Sequence, residues 1–387
     1  MPRDLSARAI LDRLVGFPTV SRDSNLALID WVEEYLDDHG VAAHRVWNAT
    51  RSKAHLYAHI GPEVDGGVVL SGHTDVVPVD GQAWTSDPFA VTERGGRLYG
   101  RGTCDMKGFL ALALAVVPRA QVAGLRRPVQ LALSYDEEVG CVAVLDMIAE
   151  MAGRMPRAGA VIVGEPSMLQ VVTGHKGGTG YEVELRGHEV HSSLLHRGVS
   201  AVMEAARLID WANRQNAEGA ARRPSAAAAP FDPPWTSLHV GRIRGGAAGN
   251  ITAGRCRFCI EFRVVPGDRV EDWEAAFEAE VARVEAGMQA VHRDTRIILE
   301  KYYTLPPLRP EESGAAEALA RRLTGDNGTH VVSYGTEGGQ FQRRGFSTVI
   351  CGPGDIAQAH QPDEYITVAQ FAAGERFLHR LVDHLTE

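Results

Sequence analysis

Three short runs in the first half of the chain are apolar and carry no charge: residues 68–72 (VVLSG), 129–134 (VQLALS) and 160–163 (AVIV). A run of this length with no polar face has nothing to offer water on either side. As a strand it belongs inside a sheet covered on both faces, the setting of parallel strands. Helical patterns near 108–117 and 139–151 lie between the runs. Strand, helix and strand in alternation predict an α/β fold with a mostly parallel sheet and helices on both faces.

The middle of the chain obeys a different period. Residues 180–186 (GYEVELR) and 257–263 (RFCIEFR) alternate apolar with polar, the pattern of half-exposed antiparallel strands. Two long helical patterns accompany them, 198–213 and 270–290, the second with Trp273, Phe277, Val281 and Val284 on one face. Residues 216–234, rich in Ala, Arg and Pro, read as a loop. The expected layout is a catalytic domain made of 1–177 and 305–387, interrupted by an α+β domain at 178–304. A chain of 387 residues is long for one core and suits two.

Charge narrows the function. With 40 basic and 49 acidic residues the formal charge is −9. That disfavours sequence-independent nucleic-acid binding and attachment to anionic membranes, both of which need a cationic surface. No run of 18 apolar residues is present, and the N-terminal stretch lacks the apolar core of a secretory leader. Five cysteines, an odd and sparse set, do not make a disulfide framework and point to a reducing cytoplasm. Cys256 and Cys259 have C-x-x-C spacing, but without a second pair they read as ordinary strand residues.

The acids and histidines that matter stand where expected strands end. SGHTDVVP puts His73 and Asp75 just past the first apolar run. A histidine there can ligate metal while the aspartate fixes its ring. GRGTCDMKG sets Asp105 among glycines, where its two oxygens can reach two cations. SYDEEVG brings Asp136, Glu137 and Glu138 together. These are either a solvated turn or, beside a cation, a ligand next to a proton carrier. VIVGEPS adds Glu165, and GPGDIAQAHQPDE adds His360. Each is weak alone. In open α/β sheets such junctions converge on one crevice, and two imidazoles with three carboxylates suit a pair of zinc ions sharing an aspartate.

Taken in order, FPTVSRDSN, SGHTDVVPVDG, LYGRGTCDMKGF, SYDEEVGC, GEP, HKG, GTEGGQF and AHQPDE resemble the zinc amidohydrolase family. That family holds succinyl-diaminopimelate desuccinylase, aminoacylase and carboxypeptidase G. GTCDMKGF, DEEVGC and GTE-x-G-x-F are similar to its acetylornithine deacetylase branch. The resemblance covers nearly the whole chain. It implies hydrolysis of the amide bond of an N-acyl amino acid, N2-acetyl-L-ornithine foremost, in arginine biosynthesis. It also implies one or two Zn2+ per subunit, with Co2+ able to substitute. His73 and Glu165 are then ligands of one ion, Glu138 and His360 of the other, and Asp105 bridges them across a cis bond to Met106. Glu137 is the general base and Asp75 orients His73. His191 in VHSS is the lid histidine that a second copy contributes, so a homodimer through the inserted lid is expected. Asn250 and Arg263 hold the substrate. Asn250 is followed by Ile251-Thr252-Ala253 where the family has a proline, which leaves its turn open. Glu337 or Asp355 is a partner for a cationic substrate side chain, or a structural residue. The rivals are another N-acyl-amino-acid amidohydrolase, a small dipeptidase, and a metal-free binding module on the same fold.

Overall fold

A computed structural model describes residues 5–387. The first four residues, part of the stretch read for a leader, lie outside it. The chain divides into two compact units: residues 5–174, Pro310–His330 and Thr336–Glu387 in one, His175–Arg309 and Val331–Gly335 in the other. The boundaries fall a few residues outside the expected 178–304, and the second unit also takes in a short stretch returning near 331.

The first unit is built on an eight-stranded sheet. Its order is Ala43–Trp47, Ala54–Ile60, Val129–Ser134, Val68–His73, Ala160–Pro166, Thr348–Gly352, Val172–His175, His330–Val332. The four strands from Val129–Ser134 to Thr348–Gly352 run parallel. Ala54–Ile60 joins them antiparallel. Every residue of Val68–His73, Val129–Ser134 and Ala160–Pro166 is buried, as their unbroken apolar pattern requires. The helix Lys107–Ala115 (KGFLALALA) is buried through its first eight residues, because it fills the space between sheet and helical cover. Packing is close enough that a Cβ on Gly164 would fall 2.0 Å from the Phe109 ring. The C-terminal helix Val368–Leu385 starts on Thr367, whose hydroxyl accepts from Gln370 N–H.

A separate three-stranded sheet, Tyr365–Thr367, Arg97–Tyr99 and Thr92–Arg94, pairs Tyr365 with Tyr99. It corrects one expectation. Asp105 does not leave a strand of the large sheet; it sits in the turn between this small sheet and the helix Lys107–Ala115.

The second unit is a four-stranded antiparallel sheet in the order Ser237–Gly245, Arg255–Val264, Gly177–Arg186, Arg296–Leu305. Along Arg255–Val264, Cys256, Phe258, Ile260, Phe262 and Val264 are buried and the residues between them are not. That face packs on the helices Ala201–Ala221 and Val270–Val291 through Leu208, Trp211, Phe277, Val281 and Val284. Burying each large side chain contributes about 1.5–3 kcal/mol. Cys256 and Cys259 point to opposite faces of one strand, and all five cysteines are free. The helix starting at Ala201 continues to Ala221, so the expected loop begins only after it. No helix among the described residues is long and apolar enough to cross a membrane.

Candidate active site

The carboxyl ends of the parallel strands, and for Asp105 the turn before Lys107–Ala115, bring His73, Asp105, Glu137, Glu138, Glu165 and His360 to one crevice of the first unit. His73 ends Val68–His73 and is fully buried. Its Nδ1–H donates to the Asp75 backbone carbonyl (2.8 Å), with an Asp75 carboxylate oxygen farther away at 3.5 Å. A nitrogen facing a carbonyl must carry the proton, which leaves Nε2 as the ring atom able to ligate a cation. Nε2 lies 3.0 Å from Asp105 Oδ1 and 3.6 Å from Glu165 Oε1. On the far side of Asp105, His360 Nε2 lies 3.4 Å from Oδ2 and 2.9 Å from Glu138 Oε2. Asp105 thus faces one histidine with each oxygen. The Asp105–Met106 peptide is cis.

Two overlapping sets have the reach to hold a cation. His73, Glu137 and Glu165 each offer an atom, all within 4.8 Å of one another, and so do His73, Asp105 and Glu138. Electrostatics say the same. Burial, with Asp105 and other carboxylates nearby, pushes Glu165 well above its ordinary range, and Glu137 likewise. Burial and the Asp105 charge raise Glu138 to about 7. His360 is raised to about 10 by its bonds to Asp105 and Glu138. Glu165 Oε1 is buried with no hydrogen-bond partner. Carboxylates crowded out of water repel one another and are driven to take protons; a divalent cation among them removes that cost. The imidazole-carboxylate donor set suits zinc.

The surrounding residues explain motifs whose purpose was not legible as sequence. Ser21 Oγ donates to Asp75 Oδ2 (2.7 Å). Asn25 exchanges bonds with both backbone groups of Ala54 and donates to Thr74 Oγ1. FPTVSRDSN is therefore the brace behind the His73–Asp75 turn. Glu364, buried beside Arg101, and Gln82 likewise carry no local signal in the sequence. Only the fold shows what they touch, because Glu364 and Arg101 lie 263 positions apart.

Of the two readings open for Glu337, partner of a cationic substrate or structural residue, its surroundings favour the second: it is 1 % exposed, and its oxygens accept from Ser71 Oγ (2.6 Å) and Ser134 Oγ (2.7 Å). Its carboxylate is spent on pinning two neighbouring parallel strands just before His73 and Asp136. Asp355 caps a short turn through Ala357 N–H.

His191, Asn250 and Arg263 belong to the second unit. His191 and Asn250 are brought together there: residue 191 bridges Ile251, and Ser192 N–H donates to the Asn250 carbonyl (2.9 Å). Thr252, two positions beyond Asn250, ties the turn with its side chain. Its Oγ1 accepts from Val190 N–H (2.7 Å) and donates to the His188 carbonyl (2.8 Å). The turn is thus fixed without the proline. Arg263 lies at the opposite end of its strand, paired with Glu261 at 2.5 Å.

Comparison with known proteins agrees with this geometry. Residues 69–384 match the model of Peptidase family M20/M25/M40. An acetylornithine deacetylase of Myxococcus xanthus is 36 % identical over 97 % of each chain. Another, of Yersinia pseudotuberculosis, is 32 % identical over 97 % of this chain and 96 % of its own. Among solved structures, an M20 family metallo-carboxypeptidase from Sulfolobus solfataricus superposes with TM-score 0.79 at 19 % identity, covering 99 % of both chains. A dinuclear metal binding peptidase of the M20 family from Bacillus subtilis gives 0.64 at 15 %, covering 98 % of this chain and 97 % of that one. Fold, crevice and relatives lead to one conclusion: the chain is an enzyme, a hydrolase belonging to peptidase family M20/M25/M40.

Proposed function

We propose that the chain hydrolyses the amide bond of an N-acyl amino acid, N2-acetyl-L-ornithine before others, releasing ornithine and acetate in the cytoplasmic synthesis of arginine. The observation that carries this is the crevice in which Asp105 stands between His73 and His360, with Glu137, Glu138 and Glu165 around it. The names of the relatives support the substrate.

His73 and Glu165 would hold one zinc ion, Glu138 and His360 a second, and Asp105 both; cobalt suits the same donors. The bound ions supply a Lewis acid that makes water nucleophilic at neutral pH. Glu137 takes a proton from the attacking water and hands it to the leaving amine. Its carboxylate lies within 4.8 Å of atoms of His73 and Glu165, in reach of a water held there. Asp75 orients His73 through its backbone carbonyl. In the inserted unit, His191 of a second copy donates to the developing oxyanion, Arg263 forks onto the substrate carboxylate, and Asn250 hydrogen-bonds the acyl group.

Glu137→Gln keeps the shape and removes the base. It should cut kcat at least 10³-fold, about the upper half of the range for general base catalysis, while metal analysis finds the wild-type content. An active variant would rule Glu137 out as the base. A panel of N-acetyl amino acids and dipeptides should give the highest kcat/KM on N2-acetyl-L-ornithine; a preferred dipeptide would overturn the substrate assignment.

A further inference from the structure

Arg101 and Glu364 form an ion pair at 2.7 Å with both side chains 1 % exposed. Taking two charges out of water costs several kcal/mol per ion unless the remaining polar atoms find partners. Those partners lead to the metal crevice from both sides, with Arg101 Nε the one polar atom of the pair that lacks a hydrogen-bond partner among the described residues. Glu364 Oε1 accepts from the backbone N–H of Cys104 (2.9 Å) and of Asp105 (3.1 Å). Arg101 Nη2 donates to Gln82 Oε1 (2.6 Å), with its guanidinium over the Trp84 ring. Gln82 Nε2 donates to the backbone carbonyl of His360 (2.9 Å). The chain closes through the side chains, where His360 Nε2 stands 3.4 Å from Asp105 Oδ2.

His360 needs such a hold. Its backbone has φ +63°, a left-handed conformation disfavoured for a side chain with a Cβ. Its side chain is 55 % exposed, so burial does not fix it. Its loop and the 82–85 segment are joined a second time, by Thr85 N–H and Oγ1 donating to Asp363 (2.9 Å each). Gln82 is thus not needed to keep the loops docked.

We propose that Gln82, Arg101 and Glu364 form a positioning device that sets His360 against Asp105 at the spacing a divalent cation requires. This rests on the two-ion reading given above. None of the three residues touches the cation or the substrate in this scheme. They act through the backbone of the residues that do.

Gln82→Glu separates positioning from simple structural support. The new carboxylate still accepts from Arg101 and from Trp84 Nε1–H, which donates to Gln82 Oε1 (3.0 Å), and adds an ion pair. It also sets an acceptor against the His360 carbonyl in place of a donor. A merely structural residue would leave metal binding and stability unchanged or improved. Positioning instead requires one of two zinc equivalents to bind about 10–100-fold more weakly. Chelator competition reads this affinity, with a changed cobalt absorption spectrum and an unchanged Tm of the metal-free protein. His360→Ala should weaken the same equivalent, and kcat of Gln82→Glu should fall at constant KM. Wild-type affinity for both equivalents in Gln82→Glu overturns the proposal, as does a metal-free Tm that drops with the affinity. A wild-type protein that binds no zinc overturns the two-ion reading and this inference with it.

Discussion

The buried carboxylate of Glu337 shows how the chemical type of a single residue leaves two readings open until its partners are known. An acid in a glycine-rich turn resembles a partner for a cationic substrate, yet here both oxygens accept from serine hydroxyls inside the sheet. Burial raises its pKa, and the two serine bonds oppose that rise. Glu337→Ala would leave Ser71 and Ser134 buried without a partner. It should cost about 2–4 kcal/mol in denaturant unfolding, the sum of lost hydrogen bonding and a cavity. Glu337→Gln keeps most of the stability, because a hydroxyl can turn to accept from the amide. In that variant kcat/KM for N2-acetyl-L-ornithine and for an uncharged N-acetyl amino acid should change by one common factor. A selective rise in KM for the cationic substrate would restore Glu337 to the substrate pocket. The same residue scale explains Thr252. Read along the chain it is only the neighbour of Ala253, which stands where the family has a proline; in the fold its hydroxyl ties together both arms of the turn that carries Asn250.

At the scale of elements, the second unit's sheet is joined on its open face by charge. Glu184, on Gly177–Arg186, accepts from Arg186 (2.8 Å), from Arg255 (2.7 Å) and from Arg257 on the neighbouring strand. The Arg255 bond leads in holding its carboxyl down, at about 2, with the Arg186 and Arg257 bonds adding to it and burial opposing. A carboxyl lowered in the folded state stabilises above its unfolded pKa of about 4.3 and loses that stabilisation as pH falls towards about 2. Glu184→Gln should therefore lower stability by about 1 kcal/mol at pH 7, as expected for half-exposed arginine partners. The gap to wild type should close between about pH 4.5 and pH 2 in thermal unfolding. A constant gap across that range would remove Glu184's charge from the account. Elements with a clear period are legible in sequence: the buried parallel strands, Arg255–Val264 and the C-terminal helix. Ser237–Gly245 and Arg296–Leu305 are not, because each is an exposed edge strand with a bulge, at 240/242 and 301/303, that breaks alternation. The hairpin Ala43–Trp47 with Ala54–Ile60 escapes for a related reason. Its inner strand carries histidines and a tyrosine inside the sheet, where no polar alternation marks it.

For the whole molecule, the proposed homodimer makes the active site depend on two chains. Glu137→Gln and His191→Ala are each expected to be inactive as pure dimers. Mixed after dissociation and reassociation, they should regain up to about a quarter of wild-type activity, since random pairing makes half the dimers mixed and each has one complete site. No recovery in verified mixed dimers would place His191 in its own chain's site or outside catalysis. Charge also reads differently at this scale. The formal −9, taken as a bulk property, only disfavours partners that need a cationic surface. In the fold, several of those acids are gathered in one crevice, where two divalent ions would contribute four positive charges.

The sequence by itself determined the α/β class, with a mostly parallel sheet and a separate antiparallel one, and supplied the candidate acids and histidines. Hydrophobic period and strand-end position are local signals, and the parallel-sheet topology turns them into one place. Only the tertiary structure decided that Glu337 pins strands, that Thr252 ties the turn carrying Asn250 where Ala253 stands in place of a proline, and that Gln82, Arg101 and Glu364 reach both sides of Asp105. These are hydrogen bonds between residues far apart in the chain. Their partners are selected by three-dimensional proximity and the need to satisfy buried polar groups, which no local pattern encodes.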